Sequence, residues 1–206
     1  MAEKILVLTA SPRKEGNTNA LAKAFCDGID EINAEREGKE ECEYEIFDLC
    51  RADMKSCTAC RHCQRSTDIP GCIQGDDEIF EKVLRADLIV LATPVYSWFC
   101  TPPAKAFLDR CVYAMNKYYG YDGAEGPGIG KGAALMEGKA MALITTCGYP
   151  VNMGADLLEE GIKRYCRHSK MKYAGMLAEQ HKGYDVPFMD DDKKAEAKAF
   201  AKSIAL

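Results

Sequence analysis

Lys4-Ile5-Leu6-Val7-Leu8-Thr9-Ala10 runs directly into Ser11-Pro12-Arg13-Lys14-Glu15-Gly16-Asn17-Thr18. The first part is a near-continuous apolar run, which reads as a strand buried on both faces, and the second is a polar turn. Beyond it Leu21, Phe25, Ile29 and Ile32 recur every three to four residues, the spacing of a helix with one buried stripe. Asn17 or Thr18 stands where a side chain can cap the first N–H groups of that helix. A buried strand handed through a polar turn to an amphipathic helix is the opening of an alternating α/β chain.

The rest of the chain repeats the pattern. Tyr44, Ile46, Phe47 and Leu49 suggest a second strand, followed by a cysteine-rich loop over 56–75. Asp76 or Asp77 can cap a second helix with the stripe Ile79, Phe80, Val83 and Leu84. The aliphatic run 88–92, ending at Thr93-Pro94, is the strongest central-strand signal. Thr101-Pro102-Pro103 then opens a helix, since proline in the first turn sacrifices no hydrogen bond, and Ala104, Phe107, Leu108, Cys111, Val112 and Met115 continue its stripe. A fourth strand over 139–146, a helix through Leu157, Leu158, Ile162 and Tyr165, a fifth strand over 172–178 and a closing helix over 190–206 complete the series. Five strands alternating with helices call for a doubly wound parallel sheet of order 2-1-3-4-5, with ligands outside the carboxyl ends of strands one, three and four. The reading is one domain over 1–206, with the cysteine-rich insertion and a glycine-rich loop over 120–138.

Composition narrows the function. The 27 basic and 32 acidic residues give a net charge of −5, whereas a nucleic-acid binder needs a cationic surplus to displace counterions from phosphates. Nucleic acid and anionic membrane are poor partners for such a chain. At 47% hydrophobic and 29% charged, its 206 residues have the composition of an ordered globular protein. No signal-peptide core and no apolar run of about 18 residues is present, so a cytoplasmic location is expected. In that reducing setting eleven cysteines point to metal or redox chemistry rather than disulfides.

The turn after the first strand is the first candidate site. A helix N-terminus offers unpaired N–H groups and a positive dipole end to an anion, and Ser11, Arg13, Asn17 and Thr18 suit phosphate oxygens. The turn lacks the G-x-G-x-x-G of dinucleotide binders. Gly130-Lys131 makes no P-loop either, with Glu125 in place of the first glycine and Gly132 in place of the magnesium-binding hydroxyl. At the end of strand three, Thr93-Pro94-Val95-Tyr96-Ser97-Trp98-Phe99 brings three aromatics to the same edge, and Thr145-Thr146-Cys147-Gly148-Tyr149-Pro150 follows strand four. Stacking faces and backbone donors beside a phosphate turn outline a phosphorylated planar cofactor.

Four separated motifs then carry a family resemblance: Ser11-Pro-Arg-Lys-x-Gly-Asn-Thr18, Pro94-Val-Tyr96, Pro103-Ala-Lys-Ala-Phe-Leu-Asp-Arg110 and Thr145-Thr-Cys-Gly148. In this order they resemble the flavodoxin-like NAD(P)H-dependent FMN reductases, over residues 4–150. The resemblance implies FMN, with its phosphate held by Ser11, Arg13, Asn17 and Thr18. Its isoalloxazine would lie on Pro94, Val95, Tyr96, Ser97 and Trp98 with Thr146, Cys147 and Gly148. It also implies NAD(P)H as co-substrate, a small-molecule or protein electron acceptor, and a homodimer or homotetramer whose neighbour completes the flavin pocket.

Cys57-x2-Cys60-x2-Cys63-x8-Cys72 resembles the motif of the iron-sulfur flavoprotein branch, although the last gap is longer than in that branch. Four thiolates on a compact loop can hold a [4Fe–4S] cluster or, with the same ligand count, zinc; free thiols are the third reading. The expected activity is FMN-dependent transfer of electrons from NAD(P)H to an acceptor. The alternatives are electron exchange between FMN, a cluster and a ferredoxin-like partner, or a non-enzymatic carrier. No side chain is assigned as acid or base, because a flavin carries the chemistry itself. Met115, Met136, Met141 and Met153 read as packing, and Asp190-Asp191-Asp192 as a helix-start cluster. His62, inside the cysteine motif, reads as solvated rather than as a ligand, and His168 and His181 receive no role. Tyr118, Tyr119 and Tyr121 border the flavin or a partner subunit, or lie in a solvated loop.

Overall fold

The structure is a computed structural model that describes residues 4–36, 41–52, 54–66, 68–75, 77–117, 133–183 and 185–205. Asp76, Tyr118, Tyr119, Tyr121 and residues 120–132 of the glycine-rich loop lie outside the described residues. Strands β1 (Lys4–Thr9), β2 (Glu43–Asp48), β3 (Leu88–Pro94), β4 (Ala140–Cys147) and β5 (Lys172–Gln180) form one sheet of order β2-β1-β3-β4-β5. Every neighbouring pair is parallel. This is the expected doubly wound arrangement.

Side chains alternate across a sheet with period two, and that alternation divides the core. Leu6, Leu8, Ile89, Leu91, Met141 and Leu143 face one side, with Phe80, Phe107 and Ile162 packed on them. Those three belong to α2 (Asp77–Arg85), α3 (Pro102–Met115) and α5 (Asp156–His168). Ile5, Val7, Leu88, Val90, Ala142 and Ile144 face the other side. Over them lie Phe25 and Ile29 of α1 (Asn17–Glu35) and Ala197 and Ala201 of α6 (Asp191–Ala205). The central strands are buried except at their ends and read as continuous apolar runs, whereas edge strand β2 leaves Ile46 half exposed. No described helix is long and apolar enough to cross a membrane.

Several local expectations change. The N-cap of α1 is Gly16, and it brings no side-chain hydrogen bond, so neither Asn17 nor Thr18 caps the helix. Thr101 is the N-cap of α3, but its hydroxyl donates to the Ala10 carbonyl at 2.7 Å instead of to the helix. A short helix α4 (Val151–Gly154) precedes α5, and a 3-10 turn (His62–Arg65) interrupts the cysteine-rich loop. Met115, Met136 and Met141 are buried as expected, but Met153 is 61% exposed. Asp190 does serve the start of α6, accepting from the Lys193 N–H at 2.8 Å.

Candidate functional site

Parallel strands deliver all their following loops to one edge, and three loops meet there. A hydroxyl network ties the strand ends together. The Thr101 N–H donates to Thr93 Oγ1 at 3.1 Å, and Thr145 Oγ1 donates to the Thr93 carbonyl at 2.7 Å. Together with the Thr101–Ala10 bond, these join the ends of β1, β3 and β4. Thr18 Oγ1 and Thr146 Oγ1 lie 2.7 Å apart, which fixes the first turn of α1 against β4.

The turn before α1 is pulled inward on itself. Ser11 Oγ donates to the Arg13 carbonyl at 3.2 Å, Asn19 Nδ2 donates to the Arg13 and Lys14 carbonyls at 3.1 Å, and the Gly16 N–H donates to the Arg13 carbonyl at 3.0 Å. A Cβ on Gly16 would stand 2.9 Å from both the Arg13 carbonyl oxygen and Ser11 Oγ, so the turn closes only around glycine. The first N–H groups of a helix have no intrahelical partner, and here no cap side chain covers them. They form the anion-attracting end of the site.

That end opens into a cleft of about 360 Å³. Ser11, Arg13 and Thr18 line it on one side, and Pro94, Val95, Tyr96, Thr146, Cys147, Gly148 and His181 on the other. Asn17 begins α1 but is not among the lining residues; its neighbour Asn19 shapes the turn instead. A second cleft of about 270 Å³ adjoins the first through Val95, Cys147 and Gly148, and is completed by Ser97, Trp98, Tyr149 and Gly154. The two form a continuous groove from helix N-terminus to aromatics.

The aromatic end rests on a strained turn. Tyr96 and Phe99 exchange both backbone hydrogen bonds around Ser97 and Trp98, whose φ values are 50° and 66°. Two left-handed central residues are the pattern of a type I′ turn, normally made with glycine or asparagine. Each non-glycine residue held there costs about 1–3 kcal/mol. The turn holds Trp98 stacked on Tyr149, with ring centroids 6.0 Å apart and planes 18° from parallel, and Trp98 Nε1–H donates to the Met153 carbonyl at 3.2 Å. Burial, reinforced by Glu179, pushes the Cys147 thiol up, and its Sγ donates to the Tyr149 carbonyl. Cys147 is therefore a protonated wall of the groove near neutral pH.

The cysteine-rich loop builds a separate cavity of about 90 Å³, lined by Cys57, Cys60, Cys63 and Cys72 together with Gln74, Arg110 and Tyr113. Ala59 and Arg61, on either side of Cys60, have φ of 55° and 56°, and these left-handed residues bend the chain so that the x2 spacings reach one hollow. The Ala59 N–H donates to Cys57 Sγ at 3.4 Å, and Gln74 Nε2 donates to the Ser56 carbonyl at 3.1 Å, which closes the loop ends. Cys60 is exposed, and the His62 backbone, then the Thr58 side chain, holds its thiol below the usual value. Burial pushes Cys63 up, against the opposing pull of Lys117. Lys117 is itself buried and donates to the carbonyls of Cys63 and Pro70.

Among the described residues no three or more His, Cys, Asp or Glu side chains are already drawn together as a metal-ion group. The four cysteines line one hollow, and four thiolates are the donor set that either a [4Fe–4S] cluster or zinc takes. Arg110 lies eight residues after Pro102 on α3, about 12 Å along the helix. The hollow and the aromatic turn therefore stand at different levels of one helix.

His181 was given no role by its sequence context, yet it lines the groove. Its N–H donates to the Cys147 carbonyl at 3.0 Å, and its ring lies beside Gly148. The missed signal was its position just past the end of β5, on the edge where the ligand loops gather. A third depression of about 220 Å³, around Lys4, Glu43, Glu45 and Lys82, lies at the opposite edge of the sheet. There Lys82 pairs with Glu45 and Glu78.

The chain matches the Flavodoxin_2 family, described as having a flavodoxin-like fold, over residues 3–204. It is 32% identical over 107 residues to an iron-sulfur flavoprotein of Methanocaldococcus jannaschii, covering 52% of this chain and 51% of the relative. It is 30% identical over 138 residues to an iron-sulfur flavoprotein of Methanosarcina thermophila, covering 66% of each. The chain spans about half the length of the first of these relatives. Among solved structures, an NADH:FMN oxidoreductase in its apo form superposes with a TM-score of 0.62 at 16% identity, covering 98% of this chain and 88% of that one. An NAD(P)H:quinone oxidoreductase from Methanothermobacter marburgensis superposes with a TM-score of 0.59 at 20% identity, covering 97% and 92%. At these identities the superpositions speak for the fold.

Proposed function

Because the chain belongs to the Flavodoxin_2 family of flavodoxin-like fold, we propose that it is an FMN-dependent oxidoreductase acting between NAD(P)H and a quinone, flavin or other small acceptor. The observation that carries this reading is the continuous groove, which starts at an uncapped helix N-terminus and ends between aromatic loops. A phosphate end adjoining a flat aromatic end suits FMN. Bound there, FMN would accept hydride from the nicotinamide and pass electrons onward.

The chain's own residues bind and orient. Ser11, Arg13 and Thr18 with the first N–H groups of α1 hold the phosphate. Backbone at Val95, Tyr96, Cys147 and Gly148 would border the ring, and the strained Ser97–Trp98 turn would wall its aromatic end. Two results test this reading. Anaerobic mixing with NADPH or NADH should bleach the flavin band; a flavin that dithionite bleaches but neither nicotinamide does would mark a carrier instead. Arg13→Ala removes one or two charge-assisted hydrogen bonds worth about 1.5–3 kcal/mol each, so FMN should bind at least about tenfold more weakly. Riboflavin, without the phosphate, should be indifferent; coincident FMN titrations would place the phosphate elsewhere.

The cysteine hollow favours a second reading within the same family, an iron-sulfur flavoprotein in which Cys57, Cys60, Cys63 and Cys72 hold a [4Fe–4S] cluster exchanging electrons with FMN and a ferredoxin-like partner. The relatives named above support it.

The groove's rim supports a homodimer or homotetramer. Phe99, Tyr149, Met153 and Leu157 are each more than half exposed beside the ring end, and a cluster of large apolar side chains on a surface marks an interaction site. A second copy covering this rim would also wall the flavin. Leu157→Arg should then sediment as a smaller species than the parent; a monomeric parent would discard the idea.

A further inference from the structure

Arg110 sits on α3 with 2% of its surface exposed, at the wall of the cysteine hollow. One of its terminal nitrogens donates to Cys72 Sγ at 3.0 Å and to the Gly75 carbonyl, and the guanidinium lies 5.4 Å from the centre of the Phe80 ring. Sulfur, carbonyl and aromatic face hold the cation from separate directions. It is a fixed charge that does not have to move when the charge of the hollow changes.

We infer that Arg110 is a positioning residue of the cysteine site, whose hydrogen bond to Cys72 Sγ favours the reduced state of the group the four cysteines hold and so raises its reduction potential. The inference rests on the iron-sulfur reading. Four thiolates around a doubly positive [4Fe–4S] core carry a net −2. One electron, from reduced flavin or from dithionite in a titration, takes the core to +1 and the site to −3, with no bond broken and no proton moved. A guanidinium stays charged at any working pH, and a charge-assisted bond to a ligand sulfur stabilises −3 more than −2, more strongly in a dry surrounding than in water. Hydrogen bonds to sulfur are among the groups that set cluster potentials. Lys117 adds to the same field, since its charge favours the Cys63 thiolate, but its ammonium bonds the carbonyls of Cys63 and Pro70 and no sulfur.

The test uses anaerobically prepared holoprotein, with iron and sulfide analysis and a dithionite titration followed by electron paramagnetic resonance. With iron content unchanged, Arg110→Gln should shift the reduction equilibrium at least about tenfold toward the oxidised form, about 59 mV for one electron. Arg110→Lys, which keeps the charge and loses the planar fork, should fall between the two. The flavin potential, read in the same titration, should stay at its parental value, whereas a general disturbance of the fold would move both. If Arg110→Gln fails to load iron, Arg110→Lys decides the matter, since a loaded lysine variant must still titrate below the parent. Equal cluster potentials in parent and loaded variants overturn the inference. Iron-free parent protein overturns the iron-sulfur reading itself, and the inference with it.

Discussion

On the iron-sulfur reading, protein purified without oxygen is expected to carry about four iron and four sulfide per chain, and Cys60→Ser to lose them while FMN stays bound. Cys60 is the cysteine of the hollow that the fold needs least. It is exposed, while Cys63 is buried in the hydrophobic core and Cys72 packs against it. Its backbone neighbours do the shaping, since left-handed Ala59 and Arg61 bend the chain whatever side chain stands between them. A serine hydroxyl keeps the size but ionises far less readily than a thiol, so it cannot supply the fourth anionic ligand. Circular dichroism and FMN content should match the parent, leaving iron as the only loss. Iron-free, FMN-replete protein from a strictly anaerobic preparation would falsify the cluster reading and leave the loop as a set of thiols around the hollow.

Gly148→Val is expected to reduce FMN binding by more than about tenfold, the equivalent of ~1.4 kcal/mol, while far-UV circular dichroism stays at the parental value. Gly148 belongs to both clefts, at the point where the groove passes from its phosphate end to its aromatic end. A Cβ there would stand 3.3 Å from His181 Nε2 and 3.7 Å from Cε1, already a tight contact. Valine adds two more methyl groups, which must displace the imidazole or enter the groove. Pairing the change with His181→Ala separates these outcomes. If the double variant recovers FMN, the damage was the pushed imidazole; if it stays empty, the methyl groups occupy the ring's place. Full occupancy in Gly148→Val alone would move the ring away from this loop, and loss of the fold would make the glycine structural.

The fold was legible because its signals are local. Residues 88–92 are aliphatic at every position and stop at Thr93-Pro94, a short run that suits a strand covered on both faces, and they lie in the middle of the sheet. The 3.6-residue stripe of Leu21, Phe25, Ile29 and Ile32 names the buried face of α1, and all four are at most 3% exposed. The site was legible in part. The turn over residues 11–18 and the loops after β3 and β4 were found as peptide motifs, and the parallel topology brings them to one edge. Asn17 was singled out by residue type, but the first turn of α1 directs Thr18 rather than Asn17 to the groove. The capping expectation failed for a related reason. Gly16 takes the cap position because the turn packs so closely on Ser11 and Arg13 that no Cβ fits.

By itself the sequence determined the element order, the parallel sheet, the edge that carries the ligand loops and the existence of a four-cysteine loop. Periodicity and short-range spacing specify each of these within a few residues of chain. Tertiary structure alone decided which side chains meet. Thr18 and Thr146, 128 positions apart, share a hydrogen bond; His181 comes to lie beside Gly148; Arg110 reaches Cys72 across 38 positions. Such pairs depend on strand register and on the angle at which each helix crosses the sheet. Those quantities are set by the packing of the whole core, which no stretch of sequence encodes locally.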